Sequence, residues 1–331
     1  MLKKNPCTKD LLFLLYIAAP ETDQDLKDFI INIFSDKQAI DFKIPLFFQK
    51  TLAKIIANIR IKKISKIYNE VFGGASPQVK ILKNLTEKLA LLYKDHTGRQ
   101  LFIKSGMCYT KPFIENAVNE VRLEEFENIF VLTLYPHYSF TTAGVCINRF
   151  ITKFKDNPFS DKLNIFYYWY NNKKFNDLWV KNIKETAREN NVCLDESTLI
   201  FSAHSLPVST LRKSDLYTTH LRKHTSYLAK ILNPKAHYLA YQSKASFGSW
   251  LAPDIFNIIE EVAVKNLNNV IFVPITFVND HIETLYEIDK IYIKEFQKRG
   301  INAIRVKCFS DVTEFAGILI DIVTTNEKII F

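Results

Sequence analysis

The segment from residue 280 to residue 289 carries a dense group of ionisable side chains. They are Asp280, His281, Glu283, Glu287 and Asp289. They follow an apolar run that predicts a buried β-strand. In a parallel α/β domain, reacting groups lie at the carboxyl ends of strands, where the chain turns into a helix. A histidine and a carboxylate at such a junction suit proton abstraction and metal binding.

Glu283 and Glu287 are four residues apart, so a helix that begins near Glu283 presents both carboxylates on one side. An isolated pair of this kind usually lies on the surface beside lysines. Here the pair lies next to His281, at the end of a strand, and this position favours a functional interpretation.

A second histidine, His204, ends the run LIFSAH and is followed by Ser205, Leu206 and Pro207, which break the strand. A single histidine after a strand is more often structural than catalytic. Two histidines at strand ends in the same half of the chain favour a functional interpretation more strongly than one does. If neighbouring strands carry them, His204 and Glu283 face the same cleft.

Four loops rich in aromatic and hydroxyl side chains follow or precede predicted elements. They are residues 68–77, 106–113, 132–144 and 241–253. Ordinary loop packing would explain each one alone. Four of them on one rim favour a flat apolar ligand.

Short apolar runs alternate with longer amphipathic ones along the chain, and this predicts strands alternating with helices. The predicted strands are residues 11–17, 100–104, 129–134, 164–169, 198–203, 237–242, 270–277 and 303–306. The predicted helices are residues 23–34, 47–68, 78–93, 114–122, 141–154, 175–190, 219–232, 253–265, 283–299 and 312–323. The pattern predicts an α/β fold of parallel sheets flanked by helices, in two similar halves that divide near residue 150.

Composition narrows the classes of protein. The chain has 331 residues, 47% of them hydrophobic, and a net charge of +9. Most of the scattered lysines suit a solvated surface, with docking to a membrane surface as the next interpretation, ahead of nucleic acid. Only eight glycines occur, and the sequence contains neither a G-x-G-x-x-G nor a P-loop motif. The usual classes of nucleotide-binding enzyme are therefore disfavoured.

The apolar runs and the cysteines of the chain predict a cytoplasmic protein. The apolar run at residues 11–20 favours a first buried strand over a secretory signal. No run reaches the roughly 18 apolar residues of a membrane span. The five cysteines form no C-x-x-C pair, which favours reduced thiols over a disulfide framework, a zinc site or an iron–sulfur cluster.

Taken together, several segments resemble those of ferrochelatases, the enzymes that insert ferrous iron into a porphyrin. The strongest matches are FSAHSLP (201–207), YQSK with WLAP (241–253) and FVNDHIETLYEID (277–289). Weaker ones are IFSDKQAID (33–41), GGASP (73–77) and YPHYSFTTAG (135–144). The string HIETLYEID is similar to the type that acts on protoporphyrin IX rather than coproporphyrin III.

The resemblance implies a chelatase fold of two Rossmann-like lobes with the porphyrin in the cleft between them. The first lobe would be residues 1–150, with a C-terminal helix at 310–331 packing back on it, and the second would be residues 151–309. It implies no tightly bound cofactor and no iron–sulfur extension, with Fe²⁺ as a substrate. The implied porphyrin-binding residues are Tyr16, Ile17, Tyr109, Tyr135, Ser139, Thr142, Ser205 and Trp250.

The resemblance also assigns roles. His204 and Glu283 correspond to the family's catalytic histidine and glutamate, with Asp280, His281 and Glu287 along a proton path or behind it. We expect His204, with a pKa near ~6.5, to be largely neutral and to accept the first proton. Whether His204 and Glu283 act as bases or as iron ligands stays open. We expect them on opposite sides of the porphyrin.

The chain departs from the family pattern at three places. In the loop after the first strand, Tyr16-Ile17-Ala18-Ala19-Pro20 stands where Asn-Leu-Gly-Thr-Pro is usual. Cys108 replaces a basic residue before Tyr109, and Ile291 ends the acidic row of Glu283 and Glu287. The alternatives are a chelatase for cobalt or nickel, or for coproporphyrin III, and a non-catalytic porphyrin or haem carrier.

Overall fold

The structure is a computed structural model. It describes residues 8–18, 20–74, 76–155, 157–211, 214–244, 248–309 and 313–325. Within these ranges the chain forms two compact units, each with a four-stranded parallel sheet. The predicted α/β fold of two parallel sheets flanked by helices is therefore confirmed.

All the predicted strands and helices are present among the described residues, with shifted ends. The strands are β1 Lys9–Tyr16, β2 Gln100–Met107, β3 Asn128–Thr133, β4 Leu163–Phe166, β5 Thr198–His204, β6 Ala236–Gln242, β7 Asn269–Val273 and β8 Asn302–Arg305. The helices are α1 Asp23–Ser35, α2 Leu46–Phe72, α3 Gln78–Thr97, α4 Ile114–Asn119, α5 Ala143–Phe154, α6 Lys173–Glu189, α7 Tyr217–Leu232, α8 Ile255–Val264, α9 Ile293–Gln297 and α10 Thr313–Thr324.

The first unit comprises Met1–Ser65, Ala75–Trp169 and Ser310–Phe331. Its sheet has the order β2-β1-β3-β4. Every residue of β1 after Lys9 is buried. A parallel strand covered by helices on both faces needs such a continuous apolar run, and this explains why β1 shows no alternation of polar and apolar residues.

The second unit comprises Lys66–Gly74 and Tyr170–Phe309, and its sheet has the order β6-β5-β7-β8. β5 pairs in parallel with both β6 and β7. Because the chain leaves β5 towards β6 on one side and returns as β7 on the other, a crevice opens beyond the carboxyl ends of β5 and β7.

The division between the units lies at Trp169 and Tyr170, after the predicted boundary near residue 150. β4 pairs with β3, so residues 163–166 belong to the first sheet. α10 contacts α3 within the first unit. The assignment of the units as functional lobes stays a prediction.

One helix differs in kind from the expected one. Glu283–Tyr292 is a π-helix, which continues directly into α9. A π-helix is rare and is frequently found at functional sites. The sequence pattern predicted an ordinary helix across residues 283–299 because four-residue spacing places side chains on one side in either geometry.

No helix in the described part of the chain has both the length and the apolar character needed to span a membrane.

Candidate active site

The site lies in the second unit, at the carboxyl ends of β5 and β7. His204 is the last residue of β5. The chain continues from β7 through residues 274–282 into the π-helix, which begins at Glu283. Two segments distant in the sequence therefore end at the same edge of one sheet.

His204 and Glu283 form a direct hydrogen bond. His204 Nδ1 lies 2.7 Å from Glu283 Oε2. A carboxylate accepts, so Nδ1 carries the proton and Nε2 keeps its lone pair. That lone pair can accept a proton or coordinate a metal ion.

The expectation that these two groups lie on opposite sides of a porphyrin is wrong for this structure. At 2.7 Å the imidazole and the carboxylate are in contact, and no macrocycle fits between them. The two side chains form one hydrogen-bonded unit.

Burial and mutual charge set the protonation of this pair. Burial opposes the charged form of His204, but the negative charge of Glu283 outweighs it and raises the pKa of His204. Burial also opposes the charged form of Glu283, but cationic His204 outweighs it and lowers the pKa of Glu283 to about 2. The pair therefore retains its proton to higher pH than an isolated histidine would.

Ser243, which the sequence did not single out, joins Glu283 to Glu287. Its Oγ lies 2.7 Å from Glu287 Oε2 and 3.2 Å from Glu283 Oε2. A hydroxyl has one proton, so it donates to one carboxylate at a time. Both contacts are satisfied together when a proton resides on one of the carboxyl groups.

Glu287 is the group that can carry this proton. Burial and the negative charge of Glu283 raise the pKa of Glu287 to about 7. Gln242 Nε2 donates to the Glu283 carbonyl at 2.9 Å and lies 3.3 Å from Glu287 Oε2. Glu287 therefore exchanges a proton near neutral pH, whereas Glu283 stays ionised.

His281 and Asp280 lie beside the pair and do not touch His204 directly in the described contacts. His281 Nδ1 accepts the Glu283 backbone N–H at 3.1 Å, which places the proton of neutral His281 on Nε2. Burial lowers the pKa of His281. Asp280 accepts hydrogen bonds from Thr284 Oγ1 at 2.9 Å and from Arg305 Nη1 at 2.6 Å. Asp280 is thus a structural anchor in this arrangement.

Three of the predicted porphyrin-binding residues lie together at the carboxyl ends of β1 and β3 in the first unit. The rings of Tyr16 and Tyr135 stack with their centroids 5.3 Å apart. Tyr135 Oη accepts the Ile17 backbone N–H at 3.1 Å. Neighbouring strands β1 and β3 bring these loops to one edge of the sheet, as in the second unit.

Other predicted porphyrin-binding residues are too buried to present a side chain to a ligand in this structure. Tyr109, Ser139 and Ser205 are fully buried. Tyr109 Oη donates to Asp36 at 3.0 Å, and the Arg149 guanidinium lies 4.9 Å from its ring centroid. Residue type and loop position do not reveal burial, so the sequence could not predict that these three side chains are covered.

Thr142 precedes α5 and Trp250 pairs with Pro207 by an isolated bridge; both are partly exposed. Among the departures, Cys108 is buried with its Sγ 3.4 Å from Cys146 Sγ, and Ile291 packs on the core of the second unit. Ala19 and residues 245–247 lie outside the described residues.

In the part of the chain that the structure describes, no group of three or more histidine, cysteine, aspartate or glutamate side chains could hold a metal ion. His204 and Glu283 offer one nitrogen and one carboxylate. These are donors of the kind that bind Fe²⁺ without the strong hold of thiolates.

Comparisons with known proteins identify the family of this chain. A family model described as Ferrochelatase matches residues 10–327. The ferrochelatase of Aquifex aeolicus is 33% identical over 315 residues, covering 94% of this chain and 97% of that protein. The ferrochelatase of Sulfurimonas denitrificans is 32% identical over 320 residues, covering 95% of this chain and 98% of that one.

Among solved structures, SirB from Bacillus subtilis with Fe³⁺ matches with a TM-score of 0.54 at 10% identity, over 96% of each chain. This similarity concerns the fold alone. The family match spans nearly the whole chain, and with it the resemblance seen in the sequence is confirmed: the chain belongs to the ferrochelatase family, the chelatases that insert iron into a porphyrin.

Proposed function

We propose that the porphyrin substrate is protoporphyrin IX, and that the products are protohaem and two protons. HIETLYEID, residues 281–289, is similar to the protoporphyrin type. Coproporphyrin III carries more carboxylates and needs more cations around it. Cys108 stands where a basic residue is usual, and its thiol is buried against Cys146.

The test is iron insertion under anaerobic reducing conditions, with protoporphyrin IX and coproporphyrin III side by side. We expect Fe²⁺ to enter protoporphyrin IX faster, with loss of its free-base absorption bands. Faster use of coproporphyrin III would overturn the substrate assignment. Binding without any change in those bands would indicate a carrier, and faster insertion of Co²⁺ or Ni²⁺ would indicate another chelatase.

We propose that the hydrogen-bonded pair of His204 and Glu283 is the catalytic centre, and the 2.7 Å contact between them is the observation that carries this proposal. Nε2 of His204 either accepts a pyrrole proton or coordinates the incoming Fe²⁺. Glu283 holds the proton on Nδ1 and offers a second oxygen to the metal. The two roles share one geometry because both need a free lone pair on Nε2.

We also propose a proton path from His204 through Glu283 and Ser243 to Glu287. The successive contacts are 2.7, 3.2 and 2.7 Å. Once Nε2 of His204 has accepted a pyrrole proton, that proton must leave before the pair can accept another. Glu287, with a pKa raised to about 7, can accept it and release it to water.

We propose that the two units are the two lobes of the family fold, with the division after Trp169 and not near residue 150. Tyr16, Ile17, Tyr135, Thr142 and Trp250 are the proposed porphyrin contacts. The fully buried Tyr109, Ser139 and Ser205 hold their loops in place. No tightly bound cofactor and no iron–sulfur cluster is proposed; acid-labile sulfide in the purified protein would contradict this.

We propose that the enzyme is cytoplasmic and binds the membrane surface peripherally through the start of α2, in preference to any nucleic acid. Phe47 and Phe48 are 75% and 61% exposed. Lys50 and Lys54 follow on the exposed surface of the same helix. Aromatic side chains beside lysines suit an anionic lipid surface.

Changing Phe47 and Phe48 together to serine should reduce binding to anionic vesicles about tenfold or more, since each ring contributes apolar area to the membrane. Sedimentation with phosphatidylglycerol vesicles measures this. Val264→Ser, at an 81% exposed apolar residue of α8, is the matched control and should bind like the wild type. Equal vesicle binding by the wild type, the double serine variant and Val264→Ser would refute the proposed membrane-binding surface.

A further inference from the structure

A single arginine, Arg305 at the end of β8, bonds both ends of the segment that carries the reacting groups. Nε and Nη2 donate to the two carboxylate oxygens of Asp289 at 2.7 and 2.9 Å. Nη1 donates to Asp280 Oδ1 at 2.6 Å. The Arg305 side chain is only 6% exposed, so this bridge is largely shielded from water.

In the sequence, the two partners of Arg305 flank the site residues that follow β7. Asp280 precedes the π-helix and Asp289 lies within it. Between them lie His281, Glu283 and Glu287. A π-helix is a rare geometry, and a bridge that ties Asp280 before it to Asp289 in its second turn restrains the turn between them.

Hydrogen bonds connect this bridge to the catalytic pair. Asp280 accepts from Thr284 Oγ1 at 2.9 Å, and Thr284 Oγ1 accepts the His281 backbone N–H at 3.0 Å. His281 Nδ1 in turn accepts the Glu283 backbone N–H at 3.1 Å. Thr284 is fully buried, so water does not compete for these bonds.

We propose that Arg305 is a positioning residue for iron insertion, whose guanidinium bridges Asp280 and Asp289 and thereby sets where the π-helix presents Glu283 and Glu287. This inference rests on the proposed roles of those two glutamates. Arg305 is on β8, and β7 lies between β8 and the strand β5 that ends at His204. Only a planar guanidinium can bond one carboxylate with two donors and another carboxylate with a third.

Arg305→Lys is the decisive variant because lysine keeps the charge but cannot make all three bonds. We expect kcat to fall about tenfold, while KM for the porphyrin stays within about twofold, since the ligand-binding loops are unchanged. We also expect amide hydrogen exchange of residues 280–292 to speed up about tenfold, because the first turn of the π-helix opens more often.

Arg299→Lys is the matched control. Arg299 also bonds carboxylates of two different elements, Glu260 and Glu295, but away from the reacting groups. We expect wild-type kcat and wild-type exchange at residues 280–292. Asp289→Asn, which removes one charge and leaves Arg305 bonded to Asp280, is the second variant should Arg305→Lys not fold.

Wild-type kcat and wild-type exchange in a folded Arg305→Lys or Asp289→Asn protein would overturn the inference. A rise in KM with unchanged kcat would overturn it too, since it would place the effect on porphyrin binding. A wild-type enzyme that inserts no iron would refute the proposed function instead. The exchange of residues 280–292 would still decide whether Arg305 holds the segment.

Discussion

His204→Ala should lower kcat for iron insertion by about 10²–10⁴-fold, the usual range for loss of a general base. The change removes the Nε2 lone pair, which is the proposed acceptor or iron ligand. It also removes the Nδ1 proton donor to Glu283. The side chain is 37% exposed, so its truncation leaves little empty volume and the variant should fold.

Anaerobic steady-state assays with protoporphyrin IX measure this effect. The matched control is His237→Ala, an exposed histidine on β6 of the same sheet, which should retain wild-type kcat. A rate within about threefold of wild type for His204→Ala would remove this imidazole from the mechanism. Partial recovery of the rate with added free imidazole would show that the lost group acts as a base or ligand and not as a support for the fold.

The positions of the proposed catalytic pair could be predicted because they follow from apolar runs. The run before His204 and the run before Asp280 each predict a buried strand, and parallel strands end at one edge of a sheet. The structure places His204 at the end of β5 and Glu283 after β7, its neighbour. Strand order within the sheet was an assumption that the sequence alone could not test.

Distances and burial could not be predicted, and the errors arose there. A sequence shows which side chains end at a rim but not whether they touch, so His204 and Glu283 were expected apart. Tyr109 was expected in the pocket, although its hydroxyl group bonds Asp36 inside the first unit. These contacts depend on the path of the loops, which leaves no periodic pattern in the sequence.

Ser243 and Arg305 were missed for a different reason. Ser243 has a left-handed backbone with φ of 63°, which is uncommon for a residue other than glycine. Its hydroxyl group reaches two carboxylates only because the chain turns there. Arg305 is an ordinary basic residue at a strand end until Asp280 and Asp289 fold against it. The one available signal was the run YQSK, which pointed to the loop but not to the serine.

Glu283→Gln should also lower kcat about 10²–10⁴-fold, and it should move the pH dependence of the remaining activity. Glutamine keeps the size of the side chain but cannot take up a proton or hold a negative charge. The proton path from His204 to Glu287 is then broken at its second member. Glu261→Gln is the control, at a glutamate on α8 that pairs with Lys265. It should change neither kcat nor the pH dependence of the activity.

The direction of the pH shift follows from the charge removed. Burial and the negative charge of Glu283 together raise the pKa of Glu287 to about 7, so the deprotonated acceptor exists mainly above pH 7 in the wild type. Without the Glu283 charge the pKa of Glu287 falls, and so does the pKa of His204, which the same charge raises. The acid side of the pH–rate profile should therefore move to lower pH. A profile that keeps its wild-type midpoint would remove Glu283 from the proton path, because no charge beside Glu287 and His204 can disappear without changing when they titrate.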